Sequence, residues 1–288
     1  MTNTGKTSMA TPECIIGESV IFNYKLVSSY SKEIGLCFQV TDEPHVYEVV
    51  RIINSKVLFF EDHLSRLLYS IEQLPKTSQN NISSELLYDS TYKLIKALHL
   101  INGNIRIVVS PTLMLIHEKE HHYPDIETIK KGVILGEVDI MRDNPNVKSM
   151  REDYINNVKK AHEQVFFGSK VFEVVLVNQN HQYTEGSRSN IFFINSNELR
   201  TAPDSMVLKG ITRKYVIQAA ESIGLVINQT CITQQELPHY KAFLSGTSLN
   251  ILPIYSIGNI QLDSANDQTI QKLLKAYLSI VQDYLSRH

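Results

Sequence analysis

Strand-like and helix-like segments are mixed along the 288 residues, which predicts an α+β protein built in two parts. Three observations carry that expectation. Runs such as Tyr47 to Ile53 and Val171 to Val177 are rich in β-branched residues and read as strands. Leu64, Leu67, Leu68 and Ile71 recur at helical spacing, as does the stripe of Ile270 to Leu285. A polar segment, His117 to Lys131, contains Pro124 and separates two halves that each hold enough apolar sequence for a core.

In chain order, Ser19 to Val27 and Gly35 to Val40 read as strands, followed by Tyr47 to Ile53. Asn54-Ser55-Lys56 is a turn into Val57 to Phe60, giving a hairpin. The period changes at Glu61, and Pro75 follows the end of that helix. Ser83 or Ser84 caps a second helix with the stripe Leu86, Leu87, Leu94, Ile95 and Leu98. Asn102, Gly103 and Asn104 then lead to the strand Ile105 to Val109. Beyond the polar segment come a strand at Gly132 to Val138, a helix over Lys148 to Glu163 and the buried strand Val171 to Val177. Asn178-Gln179-Asn180 turns the chain, Ile191 to Ile194 is a strand, and Lys214 to Ile223 is a helix stopped by Gly224. Ala242 to Ser245 and the terminal amphipathic helix complete the order.

Several function classes are disfavoured. A net charge of −2 offers no general reason to bind nucleic acid or anionic membrane. Cys14, Cys37 and Cys231 lie far apart with no metal-ligand spacing, which predicts a reduced, cytoplasmic protein without metal. No apolar run has the length of a membrane span, and the polar stretch Met1 to Pro12 lacks the apolar core of a signal peptide. His121-His122 reads as a solvated loop pair. Nucleophile-elbow, Walker and dinucleotide motifs are absent.

The residues with chemistry in them cluster in the second half. Tyr183-Thr184-Glu185-Gly186-Ser187-Arg188-Ser189-Asn190 places a carboxylate at a strand and turn, and about twenty residues on Gly210-Ile211-Thr212-Arg213 opens a helix. A carboxylate can hold a protonated pyridine nitrogen. Consecutive N–H groups and a hydroxyl at a helix N-terminus suit a phosphate. Gly246-Thr247-Ser248 offers a second such nest, and Arg66 a charge-assisted bond to the same anion. Lys148, ahead of a helical stretch, could supply a Schiff-base amine, with Lys159 and Lys160 as competitors on the polar face of that helix. Taken singly, each residue has an ordinary reading: a surface lysine or arginine, a hairpin glutamate, a helix cap, or for Tyr47 simple strand packing.

Taken together and in order, these residues resemble the class IV aminotransferases, the fold-type IV pyridoxal-phosphate family that includes branched-chain and D-amino acid aminotransferases and aminodeoxychorismate lyases. The likeness begins at Tyr47-Glu48-Val49-Val50-Arg51, continues through Glu61-Asp62-His63-Leu64-Ser65-Arg66-Leu67 and ends near Pro253. Thr184 to Phe193 and Gly210 to Arg213 are its most specific parts. It implies a small α/β domain at 13–125, a connection at 126–133 and a larger cofactor-binding domain with a barrel-like sheet at 134–288, after a polar stretch at 1–12 whose composition predicts a disordered tail. It implies pyridoxal 5'-phosphate between the domains and a homodimer acting on an amino acid and a keto acid. Lys148 would be the Schiff-base lysine and proton shuttle, and Glu185 the partner of the pyridine nitrogen. Arg66, Gly210, Ile211, Thr212, Gly246, Thr247 and Ser248 would surround the phosphate, Ser189 and Asn190 would contact the cofactor, and Tyr47 would line the active site. The expected activity is amino transfer from a branched-chain or D-amino acid, with a lyase or a catalytically silent cofactor-binding protein as alternatives. Three departures stand out: Asp42-Glu43-Pro44-His45 replaces a Gly-Asp-Gly-type turn, the segment around Val165 to Lys170 is long, and the Arg-x-His of some D-amino acid enzymes is missing.

Overall fold

The computed structural model describes residues 7–75, 82–121, 123–140 and 152–288. Two compact units result, one from residues 7–75, 82–121, 152–153 and 284–288, the other from 123–140 and 154–283.

The first unit holds strands β1 (Ile16–Phe22), β2 (Lys25–Ser28), β3 (Val46–Ile53), β4 (Lys56–Val57), β5 (Gly103–Val109) and β6 (Met114–Lys119), with helices α1 (Phe60–Glu72) and α2 (Ser84–Ala97). The sheet runs in the order β2-β1-β6-β5-β3-β4. Strand β3 alternates, so that Val46, Glu48, Val50 and Ile52 are buried while Tyr47, Val49 and Arg51 lie on the opposite face. The apolar members of the buried row pack with Leu64, Leu67, Leu87 and Leu94 of the two helices.

Two strand expectations change here. Ser19 to Val27 is a hairpin rather than one strand, because Asn23 and Tyr24 both take left-handed φ (44° and 67°), the primed-turn geometry that suits strand twist. Gly35 to Val40 falls largely in a 3₁₀-helix, Lys32–Phe38. Its apolar anchors Ile34 and Cys37 are three apart, which brings both onto one side of such a helix, against Val20, Phe22, Val108 and Leu115.

Helix α1 begins at Phe59, whose φ is 54°, with no side-chain cap of its own. The cap comes from the far end of the chain: the Phe60 N–H donates to the Tyr284 hydroxyl at 2.9 Å, and that hydroxyl donates to Glu61 at 2.7 Å. Helix α2 is capped as expected, Ser83 accepting from the Leu86 N–H.

The polar segment is also more structured than its composition suggests. His117 is fully buried in β6 opposite Arg106 of β5, and His45 is buried just before β3. Burial, reinforced by the Arg106 charge, pushes both imidazoles down to about 4. Both are then neutral in the folded state while the unfolded chain takes up protons below its ordinary histidine pKa. The folded protein therefore loses stability as pH falls from about 6.5 toward 4, by up to about 3 kcal/mol per histidine. Urea unfolding at pH 7.5 and 5.0 should show this fall, and a His45→Gln/His117→Gln double variant should flatten it. Equal wild-type stability at both pH values would refute it.

The second unit holds α3 (Ile126–Lys131), β7 (Val133–Asp139), α4 (Glu152–Ala161), β8 (Val165–Phe166), β9 (Ser169–Lys170), β10 (Glu173–Val177), β11 (Tyr183–Gly186), β12 (Asn190–Asn195), β13 (Glu198–Arg200), α5 (Ile211–Ser222), β14 (Val226–Asn228), β15 (Lys241–Gly246), β16 (Asn250–Ile257) and β17 (Ile260–Gln261). The C-terminal helix α6 (Gln268–Arg287) follows. The main sheet runs β11-β10-β7-β16-β15-β12-β13-β14. On a flat sheet, β11 and β12 would be about 24 Å apart, at five strand spacings. Residues 187–189 alone join them, a link that spans about 14 Å at most. The sheet therefore curls back on itself into the barrel-like form. Its interior is filled by Leu135, Val175, Val177, Tyr183, Ile191, Phe193, Leu244 and Leu252. The long segment at Val165 to Lys170 is the small hairpin β8–β9, turned by Phe167 and Gly168 at φ 52° and 75°. Among the described residues no helix is long and apolar enough to cross a membrane.

Candidate active site

In the first unit, the two-residue period of β3 sends Tyr47 and Glu48 to opposite faces. The Tyr47 ring lies under the Arg106 guanidinium, 4.7 Å from centroid to carbon. On the other face, the buried Glu48 carboxylate receives Arg66 side-on, with Nε at 2.6 Å and Nη2 at 2.8 Å, and His63 Nδ1 lies 2.9 Å from it. A carboxylate this deep needs such partners, and the bidentate pair fixes the plane of the Arg66 guanidinium. The turn that departs from the family pattern is also tied down, Glu43 accepting from Ser110 and Thr112 hydroxyls at 3.0 and 2.9 Å.

In the second unit, Glu185 owes its placement to a register shift. Val177 pairs with Tyr183 and Val175 with Gly186, so Thr184 and Glu185 together face Leu176. Such a bulge re-aims a side chain. Glu185 is 2% exposed, and its Oε2 accepts from the Leu208 N–H at 3.1 Å. The adjoining turn is gripped by a second buried carboxylate, Glu173, whose Oε1 receives the Arg188 N–H at 2.6 Å and the Ser189 and Ser187 hydroxyls at 3.1 and 3.3 Å. A side chain at Gly186 would collide with Glu173 and Ser189, which explains the glycine there. Tyr154 of α4 donates its hydroxyl to the Ser187 carbonyl at 2.9 Å.

Helix α5 starts at Gly210 with no side-chain cap. The amides of its first turn therefore point out of the helix with no acceptor inside it. Asn190 Nδ2 donates to the Leu208 carbonyl at 2.9 Å, and its Oδ1 occupies the space a Gly210 Cβ would need. Thr247 and Ser248 sit in the β15–β16 turn, where the Leu249 N–H bonds the Gly246 carbonyl and Asn250 takes φ 55°. Ser245, directly opposite Asn190 on the neighbouring strand, is a fully buried hydroxyl whose Oγ has no hydrogen-bond partner among the described residues.

The structure thus brings Glu185, Ser189, Asn190, Gly210, Ile211 and Thr212 together in the second unit. Arg66 and Tyr47 belong to the first. Lys148 lies outside the described residues, while its competitors Lys159 and Lys160 are exposed on α4. A buried carboxylate has the chemistry to face a protonated pyridine nitrogen and an uncapped helix N-terminus that to face a phosphate, and the Leu208 bond ties the two segments together. Sequence reasoning missed Glu173, Tyr154 and the role of Glu48 as partner of Arg66 and His63. A lone carboxylate inside the apolar run Val171 to Val177 was the available signal for the first of these.

Comparison with known proteins gives a consistent result. A family model described as amino-transferase class IV matches residues 45–257. The chain is 26% identical over 256 residues to the D-alanine aminotransferase of Listeria monocytogenes serotype 1/2a (strain 10403S), covering 81% of this chain and 84% of that protein. Its fold is similar to the branched-chain aminotransferase of Thermoproteus uzoniensis with norvaline (TM-score 0.76, 24% identity, 93% of this chain and 97% of that one). It is similar as well to the T.th. branched-chain amino acid aminotransferase with pyridoxamine 5'-phosphate (TM-score 0.79, 18% identity, 94% of this chain and 96% of that one).

Proposed function

Because the chain belongs to the class IV aminotransferases, we propose that it moves an amino group between a D- or branched-chain amino acid and a 2-keto acid with pyridoxal 5'-phosphate. The observation that carries this reading is the direct bond from Glu185 to Leu208, two residues before the uncapped start of α5. The donor class is supported by the names of the relatives, a D-alanine enzyme and branched-chain enzymes. A homodimer in the cytoplasm is part of the same proposal.

When bound, the cofactor supplies an electrophilic aldehyde carbon and a ring that accepts the electron pair left at the substrate Cα. Lys148 Nζ would hold the aldehyde until the donor arrives, then move a proton away from Cα. Glu185 would keep a proton on the ring nitrogen. The Ile211 and Thr212 amides, the Thr247 hydroxyl and the Arg66 guanidinium would bind the phosphate. Glu48 holds Arg66 in plane, and Glu173 with Tyr154 fixes the turn that follows Glu185.

The test is a half-reaction screen. Purified protein loaded with pyridoxal 5'-phosphate should change its absorption when mixed with selected L- or D-amino acids, and release the matching keto acid. A spectrum that no amino acid alters would mark a cofactor-binding protein instead. Cleavage of a donor without transfer of its amino group would move the assignment to the lyases.

A further inference from the structure

Between β13 and α5 the chain runs through residues 202–210 without ladder or helix. This strap bonds Glu185 at Leu208 and runs on into α5, so what holds it bears on how the carboxylate and the helix start are spaced. Its C-terminal end is fastened by Glu185 and Asn190, which bond the Leu208 N–H and carbonyl. Its N-terminal end is fastened by Arg213. Arg213, the third residue of α5, reaches back so that Nη2 donates to the Ala202 carbonyl at 2.8 Å and Nη1 to Asp204 Oδ1 at 2.5 Å. Inside the strap itself the Met206 N–H bonds the Pro203 carbonyl, and the apolar support is a small patch of Ala202, Met206, Val207 and Cys231.

The burial of the pair is lopsided. The Arg213 side chain is 4% exposed and that of Asp204 44% exposed. A buried guanidinium is held where its counter-charge lies, because moving away would leave it uncompensated. Lys209 Nζ, at 4.0 Å from the other Asp204 oxygen and mostly exposed, is a weak competitor for the same carboxylate. Arg213 also belongs to the first turn of α5, the turn whose amides face outward. Any slack in the ion pair is therefore passed directly to those amides, since helix ends fray unless something holds them.

We infer that the Arg213–Asp204 pair is a latch that positions the first turn of α5 relative to Glu185, and that binding of the cofactor's phosphate depends on it. The inference rests on the site reading proposed above and adds two positioning residues to it.

The experiment uses the full-length, cofactor-depleted chain and two probes, pyridoxal 5'-phosphate and pyridoxal, which lacks the phosphate. Equilibrium dialysis gives an affinity for each. Asp204→Asn should weaken pyridoxal 5'-phosphate binding about tenfold while pyridoxal binding stays within about twofold. Asp204→Glu should restore most of the loss, and Arg213→Lys should act in the same direction as Asp204→Asn. Circular dichroism confirms that each variant is folded. General damage would weaken both probes alike, and that result overturns the latch, as does an unchanged preference in Asp204→Asn. A wild-type chain that binds the two probes equally would overturn the phosphate site, and the latch with it.

Discussion

Replacement of Lys148 by alanine should lower kcat for transamination by about 10³-fold or more, because the proton must then leave the substrate Cα without a positioned base. The variant should still take up the cofactor, since the groups proposed for its ring nitrogen and phosphate are elsewhere in the chain. Two further measurements separate this outcome from general damage. A small primary amine added to the Lys148→Ala protein should recover part of the rate, because it replaces the missing group at the same carbon. Lys159→Ala should retain wild-type activity, for the Lys159 side chain is exposed on α4. Full activity in Lys148→Ala, or its loss in Lys159→Ala, would transfer the role to the second lysine.

The sequence made this site readable where its chemistry is local. Thr184 to Asn190 carries a carboxylate, a glycine and small polar residues within one strand-to-turn segment, while the bulge that aims Glu185 and the grip of Glu173 on the turn both come from the neighbouring strand β10. The start of α5 was equally legible, since a glycine followed by an apolar-periodic stretch marks a helix N-terminus. What stayed hidden depends on contacts distant in sequence. The cap of α1 comes from Tyr284, more than two hundred residues away. Glu48 was quoted as part of a strand motif, yet its meaning lies in Arg66 and His63, which reach it from α1. The second half of strand β6 reads as polar connection because His117, Glu118 and Lys119 look like surface residues; the neighbouring strands nevertheless bury His117 completely. Gly35 to Val40 failed for a different reason, as a few apolar residues without a clear period fit a strand and a tight helix equally well.

A Glu185→Gln substitution should leave a protein that binds pyridoxal 5'-phosphate but turns over about 10²- to 10³-fold more slowly. The glutamine keeps the size of the side chain and can still accept the Leu208 N–H, so the strap that reaches α5 remains fastened. What it cannot do is supply the negative charge that the proposed role requires, to favour a proton on the ring nitrogen. The predicted signature is therefore a split between binding and chemistry: cofactor content near wild type, Tm little changed, and a slow half-reaction with every donor that the wild type accepts. Glu185→Asp should fall between the two, since it retains the charge but withdraws it by one methylene from both the ring and Leu208. If Glu185→Gln kept kcat within about threefold of wild type, the carboxylate would have only a structural role, as the anchor of Leu208. If instead the variant lost cofactor and rate together, Glu185 would act mainly by holding the strap at Leu208, and the partner of the ring nitrogen would have to be sought elsewhere.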